Sequence, residues 1–408
     1  MSGHTPAADV VIVGGGIMGT SLARELALRG AGSVLLLERR TVAFGGSGRT
    51  GALLRRHYSN VPEATLAHRG WEIYSNFPEI VGGEPVHTAC GLVVTVDTSP
   101  ECEANIGKLH RNIALQNGVG IPSRAVTPEE LAELQPFADW SDVRIAAYEH
   151  NSGYVDSVTA TRGMAQAARR AGAEIREQTP VLGVETDGSR VTGVRTGDGV
   201  IHAGAVVVAA GPWTPQALAG SGVELPIEAT RVQVAILHRP LELEQPHFVY
   251  LDTAAGIFAR PWAPGRTMIG VAGGDQHDAC DPDDYREQND PDYPQLAIDA
   301  ISKRIPAMKK ASYLTGQVGM YDMSPDTHPL LGAIGPDGLH VMTGFSGAGF
   351  KKAPGIAEAM SDMITKGHCD WVDMSVFRPG RFFEPGFDPN APWTDTEYTF
   401  SSDFGHRL

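Results

Sequence analysis

The sequence has few of the features that would place it outside the ordinary soluble globular proteins. Only four of its 408 residues are cysteine and none forms a C-x-x-C pair, so we expect reduced thiols rather than zinc, iron–sulfur or dithiol sites. No apolar run approaches the length of a membrane span. The first residues, MSGHTPAAD, hold no basic segment followed by an apolar one. We therefore expect no signal peptide, no membrane span and a cytoplasmic location.

Positive charge is also scarce. The chain has 33 basic and 48 acidic residues, a formal net charge of −15, which argues against nucleic acid or an anionic membrane surface as partners. A small anionic ligand is not excluded, because a pocket can be locally basic. The acidic stretch 275–293 lacks the spacing of a calcium loop, so we predict a solvated loop and no metal site.

A dinucleotide-binding pattern stands near the start of the chain. The apolar run VVIV, typical of a strand buried on both faces, is followed at once by Gly14, Gly16 and Gly19. Such glycines permit a tight turn, close approach of a pyrophosphate and close helix–strand packing. A helix predicted over 17–29 would direct its free N–H groups at phosphates. A second buried strand ends in Glu38, where a carboxylate can bind a ribose hydroxyl, so a dinucleotide site is favoured over a plain glycine-rich turn.

The pattern along the chain predicts an α/β protein, α+β when the whole chain is counted. Turn signals at 187–188 and 198–199 predict a small antiparallel meander, and Thr127 with Glu130 predicts a helix capping box. Buried strands predicted at 205–210 and 339–343 resume the nucleotide fold, which is therefore discontinuous in sequence. We predict a Rossmann-like cofactor domain over 1–80, 155–220 and 320–370, a second, mostly antiparallel-sheet substrate domain over 81–154 and 221–319, and a C-terminal tail over 371–408.

Four motifs resemble those of one known family. They are VIVGGGIMG with its later Glu38, GGSGRTGALLR at 45–55, VVVAAGPW at 206–213 and GFSGAGFK at 344–351. Over about residues 9–382 the chain resembles flavoproteins of the D-amino-acid oxidase superfamily, in the branch of sarcosine oxidase, dimethylglycine oxidase and related secondary-amine oxidoreductases. The resemblance implies that the discontinuous domain binds FAD.

The candidate cofactor contacts lie in glycine-rich segments and at strand ends. A glycine- and serine-rich loop can bring its backbone against the cofactor, and a helix predicted to begin at Ala353, with Pro354 in its first turn, would stabilise the negative charge of reduced flavin. The candidates are Gly14, Gly16, Ile17, Met18, Gly19, Glu38, Arg39, Gly46, Ser47, Arg49, Thr50, Val181, Ala210, Gly211, Trp213, Gly347, Gly349, Phe350 and Lys351.

The resemblance also supplies candidate catalytic residues. It implies that Arg55 and Lys351 together bind the carboxylate of a small amino-acid substrate. A guanidinium can hold a carboxylate through two parallel hydrogen bonds. The alternative is a surface charge, which fits the neighbours Arg56, His57 and Lys352 better.

Two departures from the family pattern bear on the flavin. Residues 316–326 hold no cysteine and residues 45–51 no histidine, the two positions where relatives attach FAD covalently, so we expect noncovalent FAD. The oxygen-activating lysine of monomeric sarcosine oxidases is matched by Met268. Arg49 is a candidate substitute cation, and the electrons pass either to oxygen or to an accepting partner.

Three residues of the predicted second domain are substrate candidates: Tyr250, Phe258 and Arg260. Core packing is the alternative for the aromatic side chains, and a surface ion pair is the alternative for Arg260.

The predicted reaction is FAD-dependent oxidation of the C–N bond of a secondary or N-methyl amino acid to an imine that hydrolyses. One alternative is a flavoprotein subunit of an amino-acid dehydrogenase complex. An NAD(P)H-dependent flavin monooxygenase is a weaker alternative, because no second nucleotide-binding glycine motif is present.

Overall fold

The computed structural model describes residues 7–100, 103–243, 245–271 and 278–388. In chain order its strands are β1 (Ala7–Val13), β2 (Val34–Leu37), β3 (Leu53–Leu54), β4 (His87–Ala89), β5 (Leu92–Asp97), β6 (Arg124–Val126), β7 (Val143–Glu149), β8 (Gly153–Val155), β9 (Glu174–Arg176), β10 (Val181–Thr186), β11 (Val191–Thr196), β12 (Gly199–Val208), β13 (Glu228–His238), β14 (Val249–Asp252), β15 (Ile257–Pro261), β16 (Arg266–Val271), β17 (Ser312–Met323), β18 (Leu330–Ala333) and β19 (Leu339–Thr343). Its α-helices are α1 (Ile17–Leu28), α2 (Val61–Ser75), α3 (Phe77–Ile80), α4 (Glu103–Gly118), α5 (Pro128–Leu134), α6 (Ser157–Arg170), α7 (Thr214–Ala217), α8 (Tyr293–Arg304) and α9 (Gly349–Lys366).

The first sheet carries the predicted nucleotide fold and confirms the α/β prediction. Its order is β10-β11-β12-β1-β2-β9, with β19 beside β12 and β18 beside β19. Strands β1, β2, β9, β12 and β19 run parallel, and the predicted meander β10–β11–β12 is antiparallel. The two strands predicted at 200–203 and 205–210 are one continuous strand, β12. Its first half pairs with β11 and its second half with β1 and β19.

Helices α1, α6 and α9 pack on the first sheet, and α2 packs on α9. Glycines permit the close approach of α2 and α9: a Cβ at Gly70 would lie 2.1 Å from the carbonyl oxygen of Lys351. A Cβ at Gly355 would lie 2.6 Å from the carbonyl oxygen of Leu66. Any larger residue would separate the two helices, and this crossing brings the start of α2 against the start of α9.

The second sheet has the order β17-β13-β16-β15-β14-β5-β7-β6 and is antiparallel except between β14 and β5. A small third sheet, β3-β8-β4, lies beside it in the fold. The predicted boundary at residue 320 falls inside β17, which pairs with β13 in the second sheet along its length. The domain division itself stays a prediction.

The substrate candidate Tyr250 is in the core of this second sheet. Its side chain is fully buried, its hydroxyl donates to Gln135 Oε1 at 2.5 Å, and its ring packs edge-on against Trp140. Tyr250 does not line the cavity described below. This environment favours core packing, the alternative that the sequence left open for Tyr250, because its buried hydroxyl is already satisfied within the core.

Two helix starts test the capping predictions. The box at α5 is confirmed, with Thr127 Oγ1 accepting from the Glu130 N–H. Helix α9 begins at Gly349 rather than at Ala353, so Pro354 lies inside it. A proline in a helix leaves the carbonyl four residues earlier without its usual donor. That carbonyl, Phe350 O, accepts the Tyr74 hydroxyl at 2.9 Å and ties α9 to α2.

Several expectations concern absences or the chain end. Among the described helices none is long and apolar enough to cross a bilayer. Cys90, Cys280 and Cys369 carry free thiols, and Cys102 lies outside the described residues. Of the predicted tail, 389–408 also lies outside them, whereas the segment before it packs on the protein: Arg381 is buried and pairs with Asp326 at 2.8 Å.

Candidate functional site

A cavity of about 490 Å³ opens at the carboxyl ends of β1, β2 and β12. This volume lies in the range of roughly 300–1,000 Å³ usual for small-molecule sites, and the edge where parallel strands end is where α/β sheets bind ligands. Of the predicted cofactor residues, all but Gly19 and Lys351 line it.

The glycine motif forms one wall of the cavity. Gly14 has a φ of +115°, and a Cβ there would lie 2.4 Å from the carbonyl oxygen of Ala209. A Cβ at Gly19 would lie 2.0 Å from the carbonyl oxygen of Gly14. Only glycine fits either position, so bare backbone faces the cavity and α1 packs tightly on β1.

The start of α1 and the end of β2 bring donors and an acceptor to this wall. The Ile17 N–H donates to Ser47 Oγ at 2.9 Å. The Glu38 carboxylate accepts from the Gly15 N–H at 2.7 Å and from the Arg40 N–H at 2.7 Å. A carboxylate can accept hydrogen bonds from ligand hydroxyls, and the helix N-terminus beside it favours the negative charge of phosphates.

Asp283 lines the cavity through contacts that the sequence did not reveal. Asp283 pairs with Arg39 at 2.7 Å and accepts from Trp213 Nε1 at 2.9 Å, while Arg39 stacks on the Trp213 ring at 4.4 Å. The described part of the acidic stretch, which begins at 278, is largely exposed, in keeping with the predicted solvated loop, but through Asp283 it also contacts the cavity wall.

The same acidic segment holds Arg49. Its guanidinium bonds the Tyr285 hydroxyl, donates to Val318 O at 3.2 Å and pairs with Glu287 at 3.3 Å. Arg49 lines the cavity, but these contacts occupy it. Its role as a substitute cation toward reduced flavin stays a prediction.

Several wall residues were missed, among them Phe44, Met320, Tyr321, Asp322 and Phe345. Asp322 is the most informative of them. Burial raises its pKa to about 6, although it accepts from the Gly344 N–H at 2.8 Å. The only signal for it in the sequence is a lone acid at the end of an otherwise uncharged strand.

Arg55 and Lys351 lie close together beyond the cavity wall. Lys351 follows the wall residue Phe350, and its side chain is 8% exposed. Burial, and after it the positive charge of Arg55, lowers the pKa of Lys351 well below its usual value. Arg55 is also buried and stacks on the Tyr58 ring at 4.3 Å. Within the described residues Lys351 forms no salt bridge.

The surface assignment of Arg56, His57 and Lys352 was wrong, because all three are fully buried. Arg56 lies 3.6 Å from the Glu149 carboxylate and stacks on Trp71 at 4.3 Å. Each of these three side chains is paired or bonded within the protein, as burial of a polar group requires.

Lys352 and His57 illustrate this pairing. Lys352 pairs with Glu63, which also binds His328 Nδ1 at 3.0 Å. His57 bonds Gln116, and burial together with the charge of Arg55 lowers its pKa to about 3.

Phe258 and Arg260, the other substrate candidates, lie on β15 beside the loop that ends the cavity wall. A Cβ at Gly51 would lie 3.7 Å from the Phe258 ring and 3.6 Å from Met268 Sδ. Gly51 directly follows the wall residue Thr50. Met268, at the position of the expected lysine, therefore lies next to this loop.

Comparison with known proteins agrees with this geometry. The sequence model of the family described as FAD dependent oxidoreductase (DAO) matches residues 9–363. Sarcosine oxidase subunit beta of Rhodobacter capsulatus is 25% identical over 387 residues, covering 92% of this chain and 90% of that protein. The 4-methylaminobutanoate oxidase (formaldehyde-forming) of Paenarthrobacter nicotinovorans is 26% identical over 396 residues, covering 93% of this chain. This chain spans only 44% of the latter relative.

A solved structure supports the same family. The crystal structure of L-proline dehydrogenase from P. horikoshii superposes with a TM-score of 0.83 at 27% sequence identity. The similarity covers 93% of this chain and 99% of that one.

The residues present fit FAD. The bare backbone at Gly14, the first turn of α1 and the carboxylate of Glu38 meet around one cavity of suitable size. These are the elements that hold the pyrophosphate and a ribose of a dinucleotide. The start of α9, whose first residues Gly349 and Phe350 line the cavity, lies at a second part of the wall.

Proposed function

We propose a reaction for this chain, which belongs to the family of FAD-dependent oxidoreductases: oxidation of the C–N bond of a secondary or N-methyl amino acid. The substrate loses a hydride from carbon and a proton from nitrogen, and the resulting imine takes up water to give a carbonyl compound and an amine. Bound FAD supplies the hydride acceptor.

The observation that carries this proposal is the buried pair of Arg55 and Lys351. Two adjacent cations, one of them without a salt bridge to any described residue, are costly in a dry site unless an anion joins them. A substrate carboxylate would relieve that cost. It would also fix the orientation of the neighbouring C–H bond, and such positioning is a major part of catalysis.

The names of the similar proteins point the same way. Sarcosine, 4-methylaminobutanoate and L-proline, which those names carry, are all secondary amines that bear a carboxylate. The chemical class they share is thus the one that the buried cations would select.

Different residues of the chain would bind the cofactor, bind the substrate and exclude water. Glu38 and the first turn of α1 hold one end of the cofactor, and the start of α9 provides N–H groups that favour negative charge at the other. Arg55 and Lys351 hold the substrate carboxylate. Phe258 and Met268, which lie beside Gly51, would exclude water from the side of the second sheet.

Anaerobic mixing tests the reaction. Sarcosine, N-methylalanine, proline and the corresponding primary amino acids are added to the oxidised protein, and loss of flavin absorbance is followed. We expect secondary amino acids to bleach the flavin faster than primary ones. Bleaching by NADPH, with none by any amino acid, would favour a monooxygenase and overturn the proposal.

Noncovalent attachment of FAD is part of the proposal, supported by the lack of cysteine at 316–326 and of histidine at 45–51. Acid precipitation should release the yellow colour into the supernatant. Colour that stays with the pellet would contradict it.

The electron acceptor is a second question at the same site. Met268 favours an acceptor other than oxygen, because no lysine charge stands at that position to offset developing superoxide. After substrate reduction, air is added in a stopped-flow instrument. We expect reoxidation slower than reduction, in keeping with a subunit or enzyme that passes electrons to a partner. Reoxidation that outpaces reduction would make the protein an oxidase.

A further inference from the structure

Arg260 is a buried cation without a salt-bridge partner in the described part of the protein. Its side chain is 5% exposed, and its Nε is buried without a hydrogen-bond partner. Its guanidinium donates to the neighbouring Pro261 O at 2.9 Å. Among the described residues no carboxylate forms a salt bridge with it. The charge of Asp156 reaches it, but that carboxylate caps α6 by accepting from the Thr159 N–H at 3.0 Å.

Two aromatic rings fix the guanidinium in place. It stacks on Tyr154 at 4.3 Å and on Trp262 at 4.6 Å. Stacking covers the flat faces of a guanidinium and leaves its edge, which carries the N–H donors, for a partner in the same plane. Arg260 is thus held in the way that a carboxylate-binding arginine would be.

The face of the second sheet that bears Arg260 lies next to the loop at Thr50 and Gly51 that ends the cavity wall. Residues two apart in a strand share a face, so Arg260 lies on the same side of β15 as Phe258. Its partner on β16 is Met268. Phe258 and Met268 are the side chains of the second sheet that approach Gly51, so Arg260 stands one position farther along this surface.

The Tyr154 ring, which stacks on Arg260, also links it to Arg55 of the proposed carboxylate site. Tyr154 pairs with Leu53 across β3 and β8, and Arg55 comes two residues after Leu53. Arg260 and Arg55 are thus joined through one strand pair and one stacking contact. Both buried cations therefore lie on elements that adjoin the segment 53–55.

We propose that Arg260 binds a second carboxylate of the substrate, so that the preferred substrates are N-substituted amino dicarboxylic acids. This inference rests on the proposed function, in which Arg55 and Lys351 hold the first carboxylate. A second anion would complete the partners of Arg260 in a dry site, where charge-assisted bonds are strongest. Burial lowers the pKa of Arg260 to about 10, so the side chain is still cationic at neutral pH.

Matched substrate pairs test the inference on the holoenzyme. N-methylaspartate is compared with N-methylasparagine, and N-methylglutamate with N-methylglutamine, each as both enantiomers, by the rate of anaerobic flavin bleaching. We expect at least one diacid to exceed its amide by roughly 10- to 100-fold in kcat/KM, the range for a charged hydrogen bond. Equal rates for both pairs would overturn the inference.

The Arg260→Gln variant should abolish that ratio by slowing the diacid to the rate of its amide, whereas Arg260→Lys should keep part of the ratio. Arg124→Gln is the matched control, because Arg124 also stacks on a tyrosine of the second sheet but pairs with Glu130 at 2.8 Å. A diacid-to-amide ratio that survives in Arg260→Gln, or falls equally in the control, would show that Arg260 is only a packing element.

A binding measurement on the parent protein covers the case in which the variant does not fold. Glutarate and its monoamide, which cannot be oxidised at a C–N bond, are titrated while the flavin spectrum is recorded. Tighter binding of glutarate supports the inference, and equal binding overturns it. If no secondary amino acid bleaches the flavin at all, the proposed function has failed; if monoacids bleach it as well as diacids, only the role of Arg260 has failed.

Discussion

Two pairs of neighbouring cations behave differently in this protein. Arg56 and Lys352 are fully buried and have acids of the protein as partners, Glu149 and Glu63. Arg55 and Lys351, one residue earlier on each segment, are also buried, and Lys351 forms no salt bridge within the described residues. The first pair joins elements of the fold, whereas the proposed function assigns the second pair to the substrate carboxylate. Burial alone therefore does not distinguish a structural charge from a proposed binding charge.

The largest expected effect is on the free energy of unfolding, through the structural pair of Arg56 and Lys352. Lys352→Met leaves the Glu63 carboxylate buried with only part of its partners, which should lower the free energy of unfolding by about 3–5 kcal/mol. Denaturant unfolding at saturating FAD measures it. The double variant Lys352→Met/Glu63→Gln should recover part of the loss. A single variant as stable as the parent would show that Lys352 is not a structural charge.

Arg55 and Lys351, the proposed binding pair, should respond in the opposite way, because loss of the lysine should weaken substrate binding and not the stability of the fold. Lys351→Met should weaken amino-acid binding by about 2–4 kcal/mol through loss of a charged partner in a dry site. FAD content should not change, and stability should hold or rise because a buried charge without a salt bridge is removed. Substrate titration and thermal unfolding test both. Unchanged affinity, or a better turnover of decarboxylated amines by the parent, would remove the carboxylate clamp.

Cofactor binding can be separated from both pairs. Glu38→Ala should weaken FAD by about 1–3 kcal/mol if the carboxylate binds a ribose hydroxyl. Equilibrium dialysis of apoprotein with FAD gives the change. Lys351→Met serves as the control with normal FAD affinity. Equal affinity of the Glu38 variant and the parent would assign Glu38 only to its contacts with the N–H groups of Gly15 and Arg40.

The smallest expected effect is the change in the free energy of unfolding with pH. Burial lowers the pKa of His57 to about 3, with Arg55 adding to the shift, and that of His247 to about 4. A histidine whose pKa is lower in the folded state contributes stability above its unfolded value, near 6.5, and that stability is lost as pH falls toward the folded value. Asp322, with a pKa raised to about 6, acts in the opposite direction.

We therefore expect a net loss of about 1–2 kcal/mol of stability between pH 6.5 and 5.5. Denaturant unfolding at the two pH values measures it. His57→Gln, which removes one of the titrating groups, should reduce the slope. Stability that is flat or rises toward pH 5.5 would mean that these histidines are not held neutral.

Much of the fold followed from local sequence. Gly14 and Gly19 could be interpreted directly, because a positive φ or a close backbone approach is a property of a few neighbouring residues. Strand periodicity and the capping box at Thr127 are local in the same sense. The first sheet and the glycine-rich part of the cavity wall were predicted for this reason.

Tertiary structure alone decided which charges are buried and with what. Glu63 pairs with Lys352 across 289 residues, and Glu149 bonds the Arg56 N–H across 93. The placement of Asp283 over Trp213, and of Tyr250 in the core, depends on equally distant segments. No periodicity or spacing encodes such partners. The sequence by itself determined the cofactor fold, because its signals are local, and long-range packing determined which charges are buried and which acids pair with them.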